Sequence, residues 1–154
     1  MMNNTALFKS MIDRYNSVAF THNYIFGFAE NGNIIACFAK SDVLPHVLKL
    51  DRASRGNGMS LRFKPTKNQR EVLKLNSKAI VLCSTKYFEE LCSTSKYNKG
   101  EMFEKLMTEY FGQKWTKDSV PFTKGGDLTA NGIAYQIKYQ SATFCNENSL
   151  KHLA

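Results

Sequence analysis

Long apolar runs and processing signals are absent from this sequence of 154 residues. No stretch approaches the roughly 18–20 apolar residues that a membrane-spanning helix requires. The first ten residues contain neither a long apolar segment nor the small-residue cleavage site of a secretory signal. From these absences we expect a cytoplasmic protein without a membrane partner.

Histidine and cysteine are scarce, and the few present are dispersed. They are Cys37, Cys83, Cys92, Cys145, His22, His46 and His152. No C-x-x-C pair occurs, and no His–Cys or His–His spacing matches a zinc site. Scattered cysteines in a cytoplasmic protein are usually free thiols, and we expect the same here.

Acidic residues are also few, because 13 Asp and Glu face 21 Lys and Arg, which gives a net charge of +8. Most of the excess lies between residues 49 and 78, where nine basic residues are opposed by Asp51 and Glu71. Such concentrated charge attracts polyanions, because neutralised phosphates release condensed counterions. We expect nucleic acid to bind here, and the alternative is a solvated basic surface without a partner. The predicted contact residues are Arg52, Arg55, Arg62, Lys64, Lys67, Arg70 and Lys74.

The first 96 residues predict a basic α/β lobe. The expected elements are a helix at 6–15, a β-hairpin at 24–30 and 33–40, a short helix at 43–50, a strand at 59–63, a helix after residue 66, a buried strand at 79–84 and a helix at 87–92. Asn31-Gly32 favours the type I′ turn of the hairpin. A seam at 96–100 divides this lobe (1–96) from a C-terminal module (97–154).

The most regular helical pattern spans residues 100–111. Its apolar stripe consists of Phe103, Leu106, Met107, Tyr110 and Phe111. At about 100° per residue, Glu104 lies roughly a quarter-turn from the centre of that stripe, at the border between core and solvent. A carboxylate there can reach into a cleft beside the core, whereas Glu101 and Glu109 are expected to project away and solvate the helix.

A second hairpin follows, around the two-residue turn Asn131-Gly132. With this turn Asp127 faces Gln136, and strand alternation places Lys138 on the same side. The alternate residues Ile133, Tyr135, Ile137 and Tyr139 are expected to point into the core. The sequence therefore places a carboxylate, an amide and an ammonium group within a few ångströms of each other, on the side of the hairpin away from the core.

This trio suits the hydrolysis of a phosphodiester. A hard cation such as Mg²⁺ or Mn²⁺ prefers carboxylate and carbonyl oxygens, which Asp127 and Gln136 supply and which Glu104 could complete. Lys138 can orient the attacking water or stabilise developing negative charge. The alternative is a surface hairpin whose exposed face happens to be polar.

At these residues the sequence resembles the PD-(D/E)xK nuclease superfamily, whose members include restriction endonucleases, archaeal Holliday-junction resolvases and VRR-Nuc domains. Residues 99–104 resemble the K-G-x-x-x-E opening of the resolvase-like members, with Glu104 as the helix carboxylate. Gly126-Asp127 matches the aspartate of the family, and Gln136-Ile137-Lys138 matches its Q-x-K variant. The resemblance covers roughly residues 97–154.

The resemblance implies an α+β fold with a restriction-endonuclease-like core, in which a helix packs beside a β-hairpin of a mixed sheet. It implies a Mg²⁺-dependent endodeoxyribonuclease that acts on double-stranded or branched DNA, with Glu104, Asp127, Gln136 and Lys138 as catalytic residues. Glu104, Asp127 and Gln136 would be the metal ligands. Double-strand cutting by one small active site would favour a homodimer.

The sequence departs from the family in two respects. Gln136 stands where the commoner form has an acidic residue, which removes one negative charge from the site. After the lysine strand only residues 141–154 remain, enough for a short helix from about Asn146, so the closing strand is either missing or supplied by the N-terminal lobe.

Two other functions remain open. One is a catalytically inactive nuclease-fold module that binds nucleic acid or a protein partner. The other is an unrelated small α+β protein whose motif is coincidental. Lys138 discriminates between the endonuclease and the binding module. A binding module needs positive charge, but it does not need a lysine on the same side of the hairpin as Asp127.

Overall fold

A computed structural model of the protein describes residues 3–19, 23–52, 58–116, 127–140 and 142–146. Its helices are α1 (Asn4–Ala19), α2 (Leu44–Val47, after a 3-10 turn at Ser41–Val43), α3 (Lys67–Leu75), α4 (Thr85–Thr94) and α5 (Lys99–Tyr110). Its strands are β1 (Asn23–Glu30), β2 (Asn33–Ala39), β3 (Leu48–Arg52), β4 (Met59–Phe63), β5 (Lys78–Ser84), β6 (Leu128–Ala130), β7 (Ile133–Tyr139) and β8 (Ala142–Asn146). The chain therefore has the α+β composition that the sequence predicts.

The described strands form two sheets, of which the larger has the order β5-β2-β1-β7-β6. Its strands β1 and β7 are parallel, whereas its other neighbouring pairs are antiparallel. The smaller sheet has the order β3-β4-β8 and is antiparallel. Each sheet therefore contains strands from both sides of residue 96. Hydrogen bonds between strands cross the predicted boundary between the lobe (1–96) and the module (97–154).

Both Asn-Gly turns adopt the backbone conformation expected of two-residue hairpins. Asn31 and Gly32 have φ angles of 52° and 80°, and Asn131 and Gly132 have φ angles of 52° and 78°. Positive φ at both central residues is the requirement of a type I′ turn, which matches the right-handed twist of the flanking strands. These turns fix the register of β1 with β2 and of β6 with β7.

One face of the larger sheet packs against α4 and α5. Phe103 of α5 lies against β1 at Gly27, where a Cβ atom would stand 2.3 Å from the phenylalanine ring. Phe88 of α4 and Tyr139 of β7 belong to the same buried cluster. Gly27 is therefore required because the helix approaches the strand this closely.

The other face of the larger sheet is covered by the smaller sheet and by α1, α2 and α3. Phe26 stacks on Phe63 of β4 with ring centroids 4.6 Å apart, and Tyr24 lies 5.4 Å from Phe144 of β8. Both faces of β1 and β7 are consequently buried. This second layer determines the surroundings of the polar residues on β7.

Two predicted elements differ from those observed. The helix expected at 43–50 is limited to α2, because Leu48 and Leu50 continue as β3 and pair with Phe63 and Leu61 of β4. The strand expected to be buried at 79–84 lies at the edge of the larger sheet, where Val81 is 62% exposed. A continuous apolar run is therefore not evidence of a central strand here.

The helix expected from Asn146 is replaced at its first residue by the end of β8, and residues 147–154 lie outside the described residues. Parallel pairing places β1, an N-terminal strand, directly beside the lysine strand β7.

In the described part of the chain, no helix has the length and apolarity needed to cross a membrane.

Candidate functional site

The predicted register of the second hairpin is confirmed in the three strand pairs next to its turn. Leu128 pairs with Tyr135, Thr129 with Ala134 and Ala130 with Ile133. The backbone N–H of Asp127 then donates to the Tyr135 carbonyl at 2.9 Å. The strand pairing ends at Leu128, and the Asp127 N–H bonds to the carbonyl of Tyr135, so the predicted pairing of Asp127 with Gln136 stays a prediction.

The carboxylate of Asp127 is fixed against β7 by a hydrogen bond. Its Oδ2 atom accepts from the backbone N–H of Ile137 at 2.9 Å. At this level a side-chain oxygen takes the place of a backbone carbonyl in the ladder. The bond holds the negative charge beside the residues on either side of Ile137, which are Gln136 and Lys138.

Lys138 is half-buried, and its environment shifts its pKa. Burial lowers the pKa of Lys138, while the negative charges of Asp127 and Glu104 act in the opposite direction. Its Nζ atom also lies 5.1 Å from the centroid of the Phe144 ring. Both carboxylates are thus close enough to act on one lysine inside a weakly screened environment.

The stability of the fold should depend on pH through Lys138. Because its folded pKa is lowered, the unfolded chain binds more protons between that pKa and the ordinary value of 10.5. In this window the free energy of unfolding should rise with pH in the parent, and Lys138→Met should lack that part of the rise. Urea titrations of both proteins across the window measure it. A difference between them that is independent of pH would contradict the expectation.

Gln136 is 3% exposed, and its Nε2 atom has no hydrogen-bond partner among the described residues. A buried polar group left unsatisfied costs about 1–3 kcal/mol, so such a group usually has a further partner. A half-turn of the amide exchanges its nitrogen and oxygen. In the second orientation the same position presents a neutral oxygen, which suits a hard cation.

The sequence analysis placed Gln136 and Lys138 on the side of the hairpin away from the core. That prediction is wrong, because this side of β7 is covered. Gln136 pairs with Tyr24, and Lys138 pairs with Phe26. Paired residues share a face, and the smaller sheet covers this one. The opposite face is buried at Ile137 and Tyr139 as predicted, whereas Ile133 at the tip is 40% exposed.

Helix α5 brings Glu104 to the same place. A cavity of about 580 Å³ lies between the first turns of α5 and the end of β7, and Glu104 and Lys138 both line it. Glu104 is half-buried, at the border that helical spacing predicts. The cavity therefore joins the helix carboxylate to the lysine strand.

Glu101 has a structural role that the sequence analysis missed. Its side chain accepts from the backbone N–H of Asn98 at 3.2 Å, and Asn98 accepts from the backbone N–H of Glu101 at 2.8 Å. This capping box fixes where α5 begins, so the expectation that Glu101 only solvates the helix is wrong. The spacing of Asn98 and Glu101 was the available signal. Glu109 is exposed and pairs with Lys105, as a solvated residue would.

The donors in the described residues suit a divalent cation of the magnesium type. No group of three His, Cys, Asp or Glu side chains gathers within the described ranges. Glu104 and Asp127 offer two carboxylates, and Gln136 adds an amide. Mg²⁺ is commonly held by one or two carboxylates, with waters and substrate phosphates completing its octahedron. The residues present therefore fit such an ion.

The predicted nucleic-acid contacts fall into groups that differ in how their charge is engaged. Arg52, Lys64 and Lys67 are exposed, and Arg55 lies outside the described residues. Arg62 is 4.0 Å from Asp51. Arg70 and Lys74 both form ion pairs with one carboxylate that is distant in the sequence.

That carboxylate is Glu30, at the end of β1. Arg70 Nε lies 3.3 Å from Glu30, and Lys74 contacts both Glu30 and Glu71, the latter at 2.8 Å. The hydrogen bond from Lys74 lowers the pKa of Glu30. Part of the basic charge counted between residues 49 and 78 is therefore compensated by a residue outside that window.

Comparisons with protein-family models, with curated proteins and with solved structures found no match for this chain. The functional argument therefore depends on the chain's own residues. Those residues bring Glu104 to the cavity that Lys138 lines, and they place the Asp127 carboxylate and the buried amide of Gln136 next to that lysine. Together they can hold a hard cation and position a phosphate with a water molecule next to it.

Proposed function

We infer that this protein is a divalent-metal-dependent endonuclease that hydrolyses DNA phosphodiester bonds, with a restriction-endonuclease-like core of the PD-(D/E)xK type. One observation carries the inference: Glu104 lines the same cavity as Lys138, and the Asp127 carboxylate accepts from Ile137 N–H next to that lysine. A structural ion pair needs one carboxylate. Two carboxylates, 23 positions apart in the sequence, beside one half-buried lysine suit a site that also takes a cation.

In this proposal each residue has a separate task. Asp127 and Glu104 would hold Mg²⁺ or Mn²⁺ with the oxygen of Gln136, and such an ion would supply charge neutralisation at the scissile phosphate and a more acidic water. The bond from Ile137 N–H fixes the orientation of the Asp127 carboxylate. Lys138, whose ammonium form the two acidic neighbours favour against the effect of burial, would donate to the attacking water or to the phosphate oxygen on which negative charge develops.

The fold offers support from the arrangement of α5 and the hairpin. The helix with Glu104 packs beside the strand with Lys138, and β1 supplies the neighbouring parallel strand. Double-stranded or branched DNA in the cytoplasm is the proposed substrate, and a homodimer would cut both strands. The exposed Arg52, Lys64 and Lys67 would contact the phosphate backbone without reading bases.

The competing proposal is a catalytically inactive module with the same fold, which binds nucleic acid or a protein. The buried Gln136 favours it, because a third carboxylate is missing. Nicking of supercoiled plasmid by the purified protein separates the two proposals. The endonuclease requires nicking with Mg²⁺ or Mn²⁺, loss of nicking with a chelator, and loss in the Asp127→Asn variant purified in parallel. The module requires binding without nicking in any divalent metal.

A further inference from the structure

A second cavity adjoins the candidate site. It has a volume of about 230 Å³ and is lined by Phe28, Ala29, Lys64, Pro65, Arg70 and Gln140. Gln140 also lines the larger cavity that contains Glu104 and Lys138. Strands β1 and β7 are parallel neighbours, so their final residues lie at the same end of the sheet. The two cavities therefore share Gln140, just beyond the end of β7, as a lining residue.

Arg70 is held in place at the second cavity. Its Nε atom donates to Glu30 at 3.3 Å, one Nη atom donates to the Pro65 carbonyl at 3.1 Å, and its guanidinium lies 5.8 Å from the Phe28 ring centroid. A guanidinium has five N–H donors, so these two bonds leave others available. The group is preorganised for a further acceptor.

Lys64 supplies a second cation to this cavity. It is exposed and has no ion pair among the described residues, unlike Arg70. A lysine of this kind is a mobile point charge, whereas arginine is a planar fork that fits phosphate oxygens. The pair suits a phosphate group, and the cavity has room for several water-sized groups of about 30 Å³ each.

Gln140, which lines both cavities, has an unusual backbone conformation. Its φ angle is 53°, in the left-handed region, which is disfavoured by roughly 1–2 kcal/mol for a residue with a Cβ atom. Its N–H donates to the Gly27 carbonyl at 2.7 Å, which holds it there. Asn31 and Asn131 share such angles because hairpin turns demand them. Gln140 follows a strand instead, and residues held in this way concentrate at functional sites.

We propose that the second cavity binds a neighbouring phosphate of the same DNA strand whose scissile phosphate occupies the cavity of Glu104 and Lys138. This assignment rests on the endonuclease function proposed above and adds a subsite to it. A strand held at two successive positions cannot slide along β7, so the subsite positions the bond to be cut. Lys64 and Arg70 are then positioning residues for the substrate.

The test uses Lys64→Gln and the matched control Lys86→Gln, since both lysines are exposed and only Lys64 lines the cavity. An oligonucleotide that the parent cleaves is prepared with one phosphate at a time replaced by an uncharged methylphosphonate. At one non-scissile position the replacement should lower kcat/KM of the parent about tenfold, the effect of one charged hydrogen bond.

Lys64→Gln should lower kcat/KM on unmodified DNA by a similar factor and should be insensitive to methylphosphonate at that position. Lys86→Gln should keep the activity and the sensitivity of the parent. The subsite is overturned if Lys64→Gln retains the full sensitivity, or if both variants lose activity equally. A parent that cleaves no DNA with any divalent metal instead removes the proposed function, and the subsite with it.

Discussion

Lys138→Met should slow metal-dependent cleavage of DNA by about 10²–10³-fold, the range observed when one donor to a developing negative charge is removed. Methionine has a similar length and can fill the space beside Phe144 without a charge. The ammonium between Asp127 and Glu104 is lost, whereas the exposed basic residues are unchanged. The loss should therefore appear in turnover and not in affinity for DNA.

The matched control for this variant is Lys105→Met. Lys105 is on α5 and pairs with the exposed Glu109, away from the cavity. Lys105→Met removes the same ammonium group as Lys138→Met but leaves the site unchanged. Its cleavage rate should therefore stay within a factor of about two of the parent's, as expected of a surface substitution. DNA binding in Ca²⁺ should be equal in the parent and both variants. Cleavage by Lys138→Met at the parent's rate would remove the lysine from the mechanism.

The second large effect concerns the two glutamates of α5. Glu104→Gln should lower the cleavage rate by at least about 100-fold. Loss of a residue that only orients a metal ligand already costs about 10–100-fold, and Glu104 is proposed as a ligand itself. Glu101→Gln should retain most of the activity, because glutamine also serves in a capping box. Both variants keep the size of the side chain and remove one charge from the same helix and from the lining of the same cavity. They differ in position and in the capping hydrogen bond that Glu101 accepts.

A metal-binding measurement completes this comparison. Mn²⁺ titrated calorimetrically should bind the parent and Glu101→Gln alike and bind Glu104→Gln more weakly. Thermal unfolding of each variant checks that α5 remains folded. If Glu101→Gln loses the metal and Glu104→Gln keeps it, the helix carboxylate has been assigned to the wrong residue.

Local sequence rules were sufficient for the hairpin and for the position of Glu104. Asn131-Gly132 determines a two-residue turn, and the turn length alone pairs Leu128 with Tyr135, Thr129 with Ala134 and Ala130 with Ile133. Helical periodicity puts Glu104 at the edge of the apolar stripe. Both inferences involve residues close together in the chain, for which spacing is a reliable guide.

The surroundings of the site could not be predicted in the same way. The hairpin side that carries Gln136 and Lys138 is covered because β1 pairs with β7 and because Phe144 of the smaller sheet lies over Lys138. Strand pairing between residues more than a hundred positions apart leaves no periodic pattern in either segment. The partial burial of Lys138, which lowers its pKa, is a consequence of that pairing.

The basic stretch shows the same limit. Its charge was counted within residues 49–78, but Glu30 lies outside that window and pairs with Arg70 and Lys74 across 40 and 44 positions of sequence. Gln140 gave no signal either, since a glutamine after a strand does not predict a left-handed backbone. Long-range contacts determine which charges remain available to a ligand.

The most direct measurement of the central claim is the rate of plasmid nicking as a function of Mg²⁺ concentration, for the parent and for Asp127→Asn purified side by side. Asparagine keeps the shape of the side chain and can still accept from Ile137 N–H, but it lacks the charge that a metal requires. We expect nicking by the parent to rise with Mg²⁺ and saturate, and nicking by Asp127→Asn to be slower by about 10³-fold or more at every concentration. Equal rates for the two proteins, or parental nicking that persists in a chelator, would contradict a metal-dependent nuclease site at Asp127.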